Sequence, residues 1–362
     1  MAEQRKQHYV PKFYLKFFSL SENKKQIKVY LKNSGKIIQK ANLESQAQES
    51  YFYGKNLKTE KWFANVEDNT AEILKQVIKE KIIPTNGSEN YYQISLFLLL
   101  QPYRTRVNSD EFNDMVDKTL KAVMKFETQF KNFEYDKYFF AYNDAVEKSL
   151  SILLDNLSIM LDMQIKLLIN KTSKEFITSD HPVSKYNQFL ESRNFFFGHT
   201  GMMSKGLQLF YPLAPDLCLV MYDPKVYKIG NKKQFSNINV NEKDVESLNI
   251  LTCLHANKSM YATDKLTDFQ FEHILEKANK FRDQKKLELK YYDSVGNGDD
   301  TESVIVQHHR IPFQIKLDLS FIKQTQHAKS YKLSGYFSEI RDERWRNRKY
   351  LLEFLKNKET SI

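Results

Sequence analysis

The stretch QHYVPKFYLKFF, residues 7–18, limits what this chain can fold into more than any other segment. It sets His8, Tyr9 and Pro11 ahead of Phe13, Tyr14, Phe17 and Phe18. Aromatic side chains lose much of their favourable free energy if left in water. The opening is therefore expected to run into the body of the protein. It carries one titratable group, His8, in with it.

The 362-residue chain can supply the surroundings. That length holds one large domain or two ordinary ones, and it buries a core without disulfides or a structural metal. Hydrophobic residues at 41% and aromatics at 14% exclude a disordered chain. Gly 10 and Pro 8 leave little material for flexible linkers. Cys218 and Cys253 sit in apolar surroundings, DLCLVMY and NILTCLHA, and read as buried thiols in a reducing cytoplasm. The first residues, MAEQRKQ, offer no apolar signal-peptide core, and the longest purely apolar run, Leu96 to Leu100, is too short to span a bilayer. A soluble cytoplasmic protein without a membrane partner is expected. The net charge of +10 comes mostly from lysine. Compositional bias of the coding DNA explains such an excess, and so does attraction to nucleic acid or another polyanion.

Hydrophobic periodicity organises the chain. QIKVYLK (26–32) and KIIQK (36–40) alternate around NSG and read as a hairpin, with SYFYG (50–54) as a third strand. Helical spacing covers 60–81, 89–107, 110–131 and a long stretch over 143–170. In the last, Leu150, Leu153, Leu154, Leu157, Met160, Leu161 and Leu167 form a core stripe. Strands are expected at 174–178, 207–212, 217–222, 259–262 and 287–293, with helices at 241–255 and 265–284. SVGNGDDTES (294–303) reads as a loop. VIVQ and FQIKLDL are strand-like, and a charged helix closes the chain over 337–357. The pattern predicts an α+β fold, a mixed sheet packed against a layer of long helices. A soft boundary near 264 separates residues 1–263 from a smaller, basic C-terminal region, 264–362.

Several motifs occur in a fixed order. His8-Tyr9-Val10-Pro11 leads to Phe13-Tyr14-Leu15 and Phe17-Phe18. Gln101 precedes Arg104-Thr105, and Thr178-Ser179-Asp180-His181-Pro182-Val183 ends a strand. Pro212-Leu213 and Asn249 follow. In this order the motifs resemble the uncharacterised microbial family DUF4238 over about residues 5–263. The resemblance supports a fold boundary and a shortlist of residues; it implies no reaction.

Polar residues in apolar contexts make up that shortlist. Gln101 joins Ile94, Phe97 and Leu98 on one helix face, Arg104 follows on the same side, and Pro102 kinks the helix between them. Buried amides and guanidinia need partners, so the pair is either a structural network or a clamp for carboxylate or phosphate. Asp180 at a strand end is either an Asx-turn capping its own loop or a metal ligand, base or ligand acceptor. His8 is either a core histidine or a general acid/base or metal ligand. Glu67 borders the inner face of the 60–81 helix, and Glu49 precedes SYFYG. Walker A, Gly-x-Gly-x-x-Gly, His-Glu-x-x-His and Gly-x-Ser-x-Gly patterns are absent.

Two functions follow. In the first the protein is a hydrolase acting on nucleic acid or a phosphorylated small molecule. His8 and Asp180 are catalytic, Gln101, Arg104 and Glu67 bind the ligand, and a divalent cation is the candidate cofactor. In the second it is a non-catalytic ligand- or partner-binding module, and the same residues are a structural network.

Overall fold

The computed structural model describes residues 5–125, 128–195, 198–230, 237–281, 288–293, 304–309, 314–333 and 339–341. The chain opens with β1 (Lys6–His8), one helical turn α1 (Lys12–Leu15), β2 (Gln26–Leu31), β3 (Lys36–Asn42) and β4 (Gln48–Ser50). Four helices follow, α2 (Lys58–Glu80), α3 (Glu89–Tyr103), α4 (Arg106–Met124) and α5 (Ala145–Asp155). Next come β5 (Gln164–Asn170), β6 (Thr178–Ser179), β7 (Ser184–Tyr186), the short α6 (Gln188–Glu191), β8 (Gln208–Ala214), β9 (Leu217–Tyr222), β10 (Tyr227–Ile229) and β11 (Asn237–Val240). The last described elements are α7 (Glu242–His255), β12 (Ser259–Ala262), α8 (Asp268–Asn279), β13 (Glu288–Asp293), β14 (Val304–His309), β15 (Ile322–Gln324) and α9 (Gln326–Ser330).

The fold is α+β. Its central sheet has the order β11-β5-β9-β8-β7, with β11 and β5 parallel and the other neighbours antiparallel, so it is mixed. Strand alternation sends successive side chains to opposite faces. Leu209, Tyr211, Leu217, Leu219 and Met221 pack against the layer formed by α2, α3 and α5. Phe210, Cys218, Val220 and Tyr222 pack against α7, α8 and the segment 315–322. Both faces are covered, so β8 and β9 are buried throughout. A second sheet, β3-β2-β12-β6, brings the N-terminal hairpin beside the end of β6.

The hairpin forms as its NSG turn requires, and α2 spans the predicted helix. Helix α7 begins in a capping box: Asn241 Oδ1 accepts from the Asp244 N–H at 2.9 Å, and Asp244 Oδ2 accepts from the Asn241 N–H at 3.0 Å. Cys218 and Cys253 are buried and outside any disulfide among the described residues. Among the described residues, no helix is long and apolar enough to cross a membrane.

Several expectations need correction. The helix expected over 143–170 ends at Asp155, and QIKLLIN becomes the central strand β5. A strand buried on both faces loses its alternation and resembles the continuation of an apolar helix. The expected helix over 89–107 breaks after Tyr103, one residue beyond Pro102, and α4 starts at Arg106. Of residues 50–54 only Ser50 is in a strand, and β4 pairs with β1 rather than with the hairpin. Of 174–178 only Thr178 is in a strand.

Residues 314–320 alternate exposed and buried as a strand would, yet they join no ladder. Side chains satisfy their backbone instead. Leu317 N–H donates to the Tyr186 hydroxyl at 3.0 Å and Ser320 N–H to Asp244 Oδ1 at 2.8 Å. The loop 294–303 and most of the helix expected over 337–357 lie outside the described residues. Within that span Ile340 forms a β-bridge with Ser204, and Arg341 is buried against Asp162 at 3.1 Å.

Candidate functional site

The opening segment runs through the interior, as its aromatic content requires. Val10, Tyr14, Leu15 and Phe18 are fully buried. The Tyr14 hydroxyl donates to the Pro212 carbonyl at 2.6 Å and shares a 2.5 Å hydrogen bond with Thr178 Oγ1. Its ring stacks on Tyr211 with centroids 4.6 Å apart. The opening motif, the end of β6 and the Pro-Leu of β8 therefore meet at one buried hydroxyl. Asn249 adds a further tie, accepting from Ile177 N–H at 3.0 Å and donating to the Glu175 carbonyl at 2.8 Å.

A polar hub lies beside this seam. Gln7 is buried, and its amide clamps the turn after β4, accepting from Tyr53 N–H at 2.6 Å and donating to the Gly54 carbonyl at 3.0 Å. That clamp places Tyr53 under the end of α3. Helix α2 presents Glu60, Phe63 and Glu67 on one face through their spacing of three and four. Arg104 caps the C-terminus of α3 and points between these elements.

All three nitrogens of the Arg104 guanidinium are engaged. Nη1 pairs with Glu67 at 2.8 Å, Nη2 donates to the His8 carbonyl at 2.8 Å, and Nε donates to the Tyr53 hydroxyl at 3.0 Å. Its Cζ lies 4.1 Å from the Phe63 ring centroid. The side chain is only 2% exposed, against 22% for Glu67. Three residues of the shortlist, His8, Glu67 and Arg104, are thus in direct contact.

At the outer edge the titratable groups diverge. His8 is half-buried, and its Nε2 donates to the Glu44 carbonyl at 2.9 Å, which leaves Nδ1 as the basic nitrogen. Burial pushes its imidazole below the ordinary value of 6.5, and the Lys12 and Arg104 charges add to that. Burial pushes the half-buried Glu60 carboxyl up to about 7; Arg104 opposes the shift and Glu67 adds to it. Sequence reasoning missed Glu60. Its signal was the seven-residue spacing to Glu67, two turns along the same helix face.

Gln101 is buried one turn before Arg104. Its Nε2 donates to the Phe97 carbonyl of its own helix at 3.2 Å, and its Oε1 has no partner among the described residues. Glu49 is exposed and pairs with Arg106 at 3.3 Å.

Asp180 stands apart from the guanidinium. It caps a turn, but not its own. Its carboxylate accepts from the backbone N–H groups of Asn257 at 2.8 Å, Lys258 at 2.8 Å and Ser259 at 3.1 Å, in the turn from α7 to β12. Burial raises its pKa, and those three donors oppose the rise. The neighbouring His181 connects back to the hub, because its Nδ1 lies 2.6 Å from the Thr105 hydroxyl. Among the described residues, no three His, Cys, Asp or Glu side chains converge as a metal-binding set.

The family profile of DUF4238, described as a protein of unknown function, matches residues 6–266. No curated protein matches the chain, and no solved structure does.

Proposed function

The chain belongs to DUF4238, a family of proteins of unknown function, and we propose that it is a non-catalytic module that binds a small ligand or partner around a structural polar hub. The burial of Arg104 and the engagement of all three of its side-chain nitrogens carry this reading. A guanidinium that recognises phosphate must face the ligand. Here it faces Glu67, Tyr53 and the His8 carbonyl and is shielded from water. Asp180 supports the same view, since three backbone donors occupy its carboxylate. Polar groups of this kind hold segments in register. The hub joins the opening strand, the 51–54 turn, α2 and α3. Two buried thiols suit a reducing cytoplasm, and the +10 charge makes a polyanion a further candidate partner.

One observation favours a second reading, the hydrolase. Glu60, with its carboxyl near neutrality, stands in the electrostatic reach of Glu67 and Arg104, and His8 keeps a basic nitrogen close to the same guanidinium. A carboxyl that holds its proton near neutrality can serve as a general acid.

Turnover separates the two. The full-length protein is incubated with bis(p-nitrophenyl) phosphate, p-nitrophenyl phosphate and a single-stranded oligonucleotide, with and without magnesium or manganese. The binding reading expects no release above the uncatalysed rate. Turnover that disappears in Glu60→Gln or His8→Ala establishes the hydrolase instead.

A further inference from the structure

A cavity of about 350 Å³ lies away from the hub, where α6 meets the segment that follows residue 314. This volume falls in the range of small-molecule sites. Its inner wall holds Tyr186, Glu191 and Leu317, all buried, while Ser192, Asn194 and Lys316 stand exposed at the mouth.

Glu191 is the unusual member. It is 4% exposed, and among the described residues it has no ion-pair partner. One carboxylate oxygen accepts from the Tyr186 hydroxyl and the other from the Lys316 N–H at 3.2 Å. Buried carboxylates are nearly always paired with a cation. The Lys316 ammonium at the mouth acts on the carboxyl as a nearby charge without closing an ion pair. The other wall groups offer further acceptors. Gln188 donates its Nε2 to the Leu317 carbonyl at 2.9 Å, which leaves its Oε1 open, and the Asn194 side chain has no hydrogen-bond partner among the described residues. The Ser192 hydroxyl donates to the Phe189 carbonyl at 3.0 Å and accepts from Arg193 Nη1 at 3.5 Å.

The wall is held rigidly. Asn187 accepts from Leu190 N–H at 3.1 Å and donates to the His199 carbonyl at 2.7 Å and the Lys205 carbonyl at 2.9 Å. Gly206, at φ +77°, passes behind it so closely that a Cβ there would lie 2.8 Å from Phe189 Cβ. Two rim residues, Asn194 at φ 51° and Lys316 at φ 45°, are left-handed without being glycine. Such strain collects at ligand sites and persists only where surrounding structure enforces it.

We infer that this cavity binds a small organic cation, an ammonium or guanidinium, with Glu191 as its counter-charge and Gln188 and Asn194 as acceptors. The inference supplies a ligand class for the binding reading and shares no residue with the hub. Agmatine, which carries both groups, is the probe. The full-length protein is titrated with it by isothermal calorimetry. Saturable one-site binding is expected, weakened about tenfold or more in Glu191→Gln and tightened in Lys316→Ala, where a competing cation is gone. No binding, equal binding in Glu191→Gln, or weaker binding in Lys316→Ala overturns the inference. If Glu191→Gln does not fold, Ser192→Trp blocks the mouth without touching the carboxylate. Loss of binding then supports the site and full retention overturns it. Failure of agmatine leaves the hub's assignment to the turnover assay, and turnover in that assay leaves the cavity's assignment intact.

Discussion

Tyr14 and Thr178, 164 residues apart in the chain, share a buried 2.5 Å hydrogen bond, and the same tyrosine hydroxyl donates to the Pro212 carbonyl. Through this one atom the opening segment is fastened to both the small sheet and the central sheet. Tyr14→Phe keeps the ring and its stack on Tyr211 but leaves the buried Pro212 carbonyl and Thr178 hydroxyl without their partner. Urea denaturation should show a loss of about 1–3 kcal/mol. Wild-type stability in that variant would refute the role assigned to the hydroxyl.

Arg104→Met should cost more. It strands the Glu67 carboxylate and the His8 carbonyl while preserving most of the side-chain volume. Removing one partner of a buried ion pair costs about 3–5 kcal/mol, and the partial exposure of Glu67 sets the low end as the expectation. Adding Glu67→Gln should recover part of the loss. A double-mutant cycle by chemical denaturation measures the coupling, and additive effects would contradict a direct pair.

Asp180→Asn replaces an acceptor oxygen with a donor amide that faces backbone N–H groups. The variant should fold but lose about 1–3 kcal/mol. Hydrogen exchange localises the effect: the amides of Asn257, Lys258 and Ser259 should lose protection ahead of the rest of the sheet. Unchanged protection there, with a normal melting temperature, would show that the carboxylate does not hold the turn.

The stability profile with pH tests Glu60. Its folded carboxyl titrates near 7 against an ordinary value of 4.5, so the folded state holds the proton more tightly. That contribution is fully present below about 4.5 and is lost as pH rises through about 7. Glu60→Gln removes the dependence, so its melting temperature should gain on wild type as pH rises through this window. His8 acts in the opposite sense. Its depressed value favours the neutral ring, giving stability that is present above 6.5 and lost as pH falls through the folded value. His8→Asn should therefore gain on wild type under acid conditions. Parallel wild-type and variant curves would contradict either shift.

Local signals were legible where one segment contains its own cause. The NSG turn set the hairpin, and the Asn241–Asp244 pair marked the start of α7. The apolar spacing from Trp62 to Ile78 marked α2. Residues 164–170 were not legible, because burial on two faces erases the alternation that distinguishes a strand. The segment 314–320 showed the alternation without the ladder, because side chains from β7 and α7 meet its backbone instead.

The burial of the aromatic opening, and the apolar surroundings in which His8, Gln101, Arg104 and Asp180 need partners, could be read along the chain. Periodicity and composition are enough for that, since burial follows from the local density of apolar groups. Which partners they meet was set by the packing of distant segments. Arg104 is held by groups from residues 8, 53 and 67, while Asp180 is taken by the turn at 257–259. These contacts close long loops, so their identity depends on how the sheets and helices dock rather than on any neighbouring residue. The same docking left Glu191 buried beside a cavity with no counter-ion among the described residues, a feature that no pattern along the chain foreshadows.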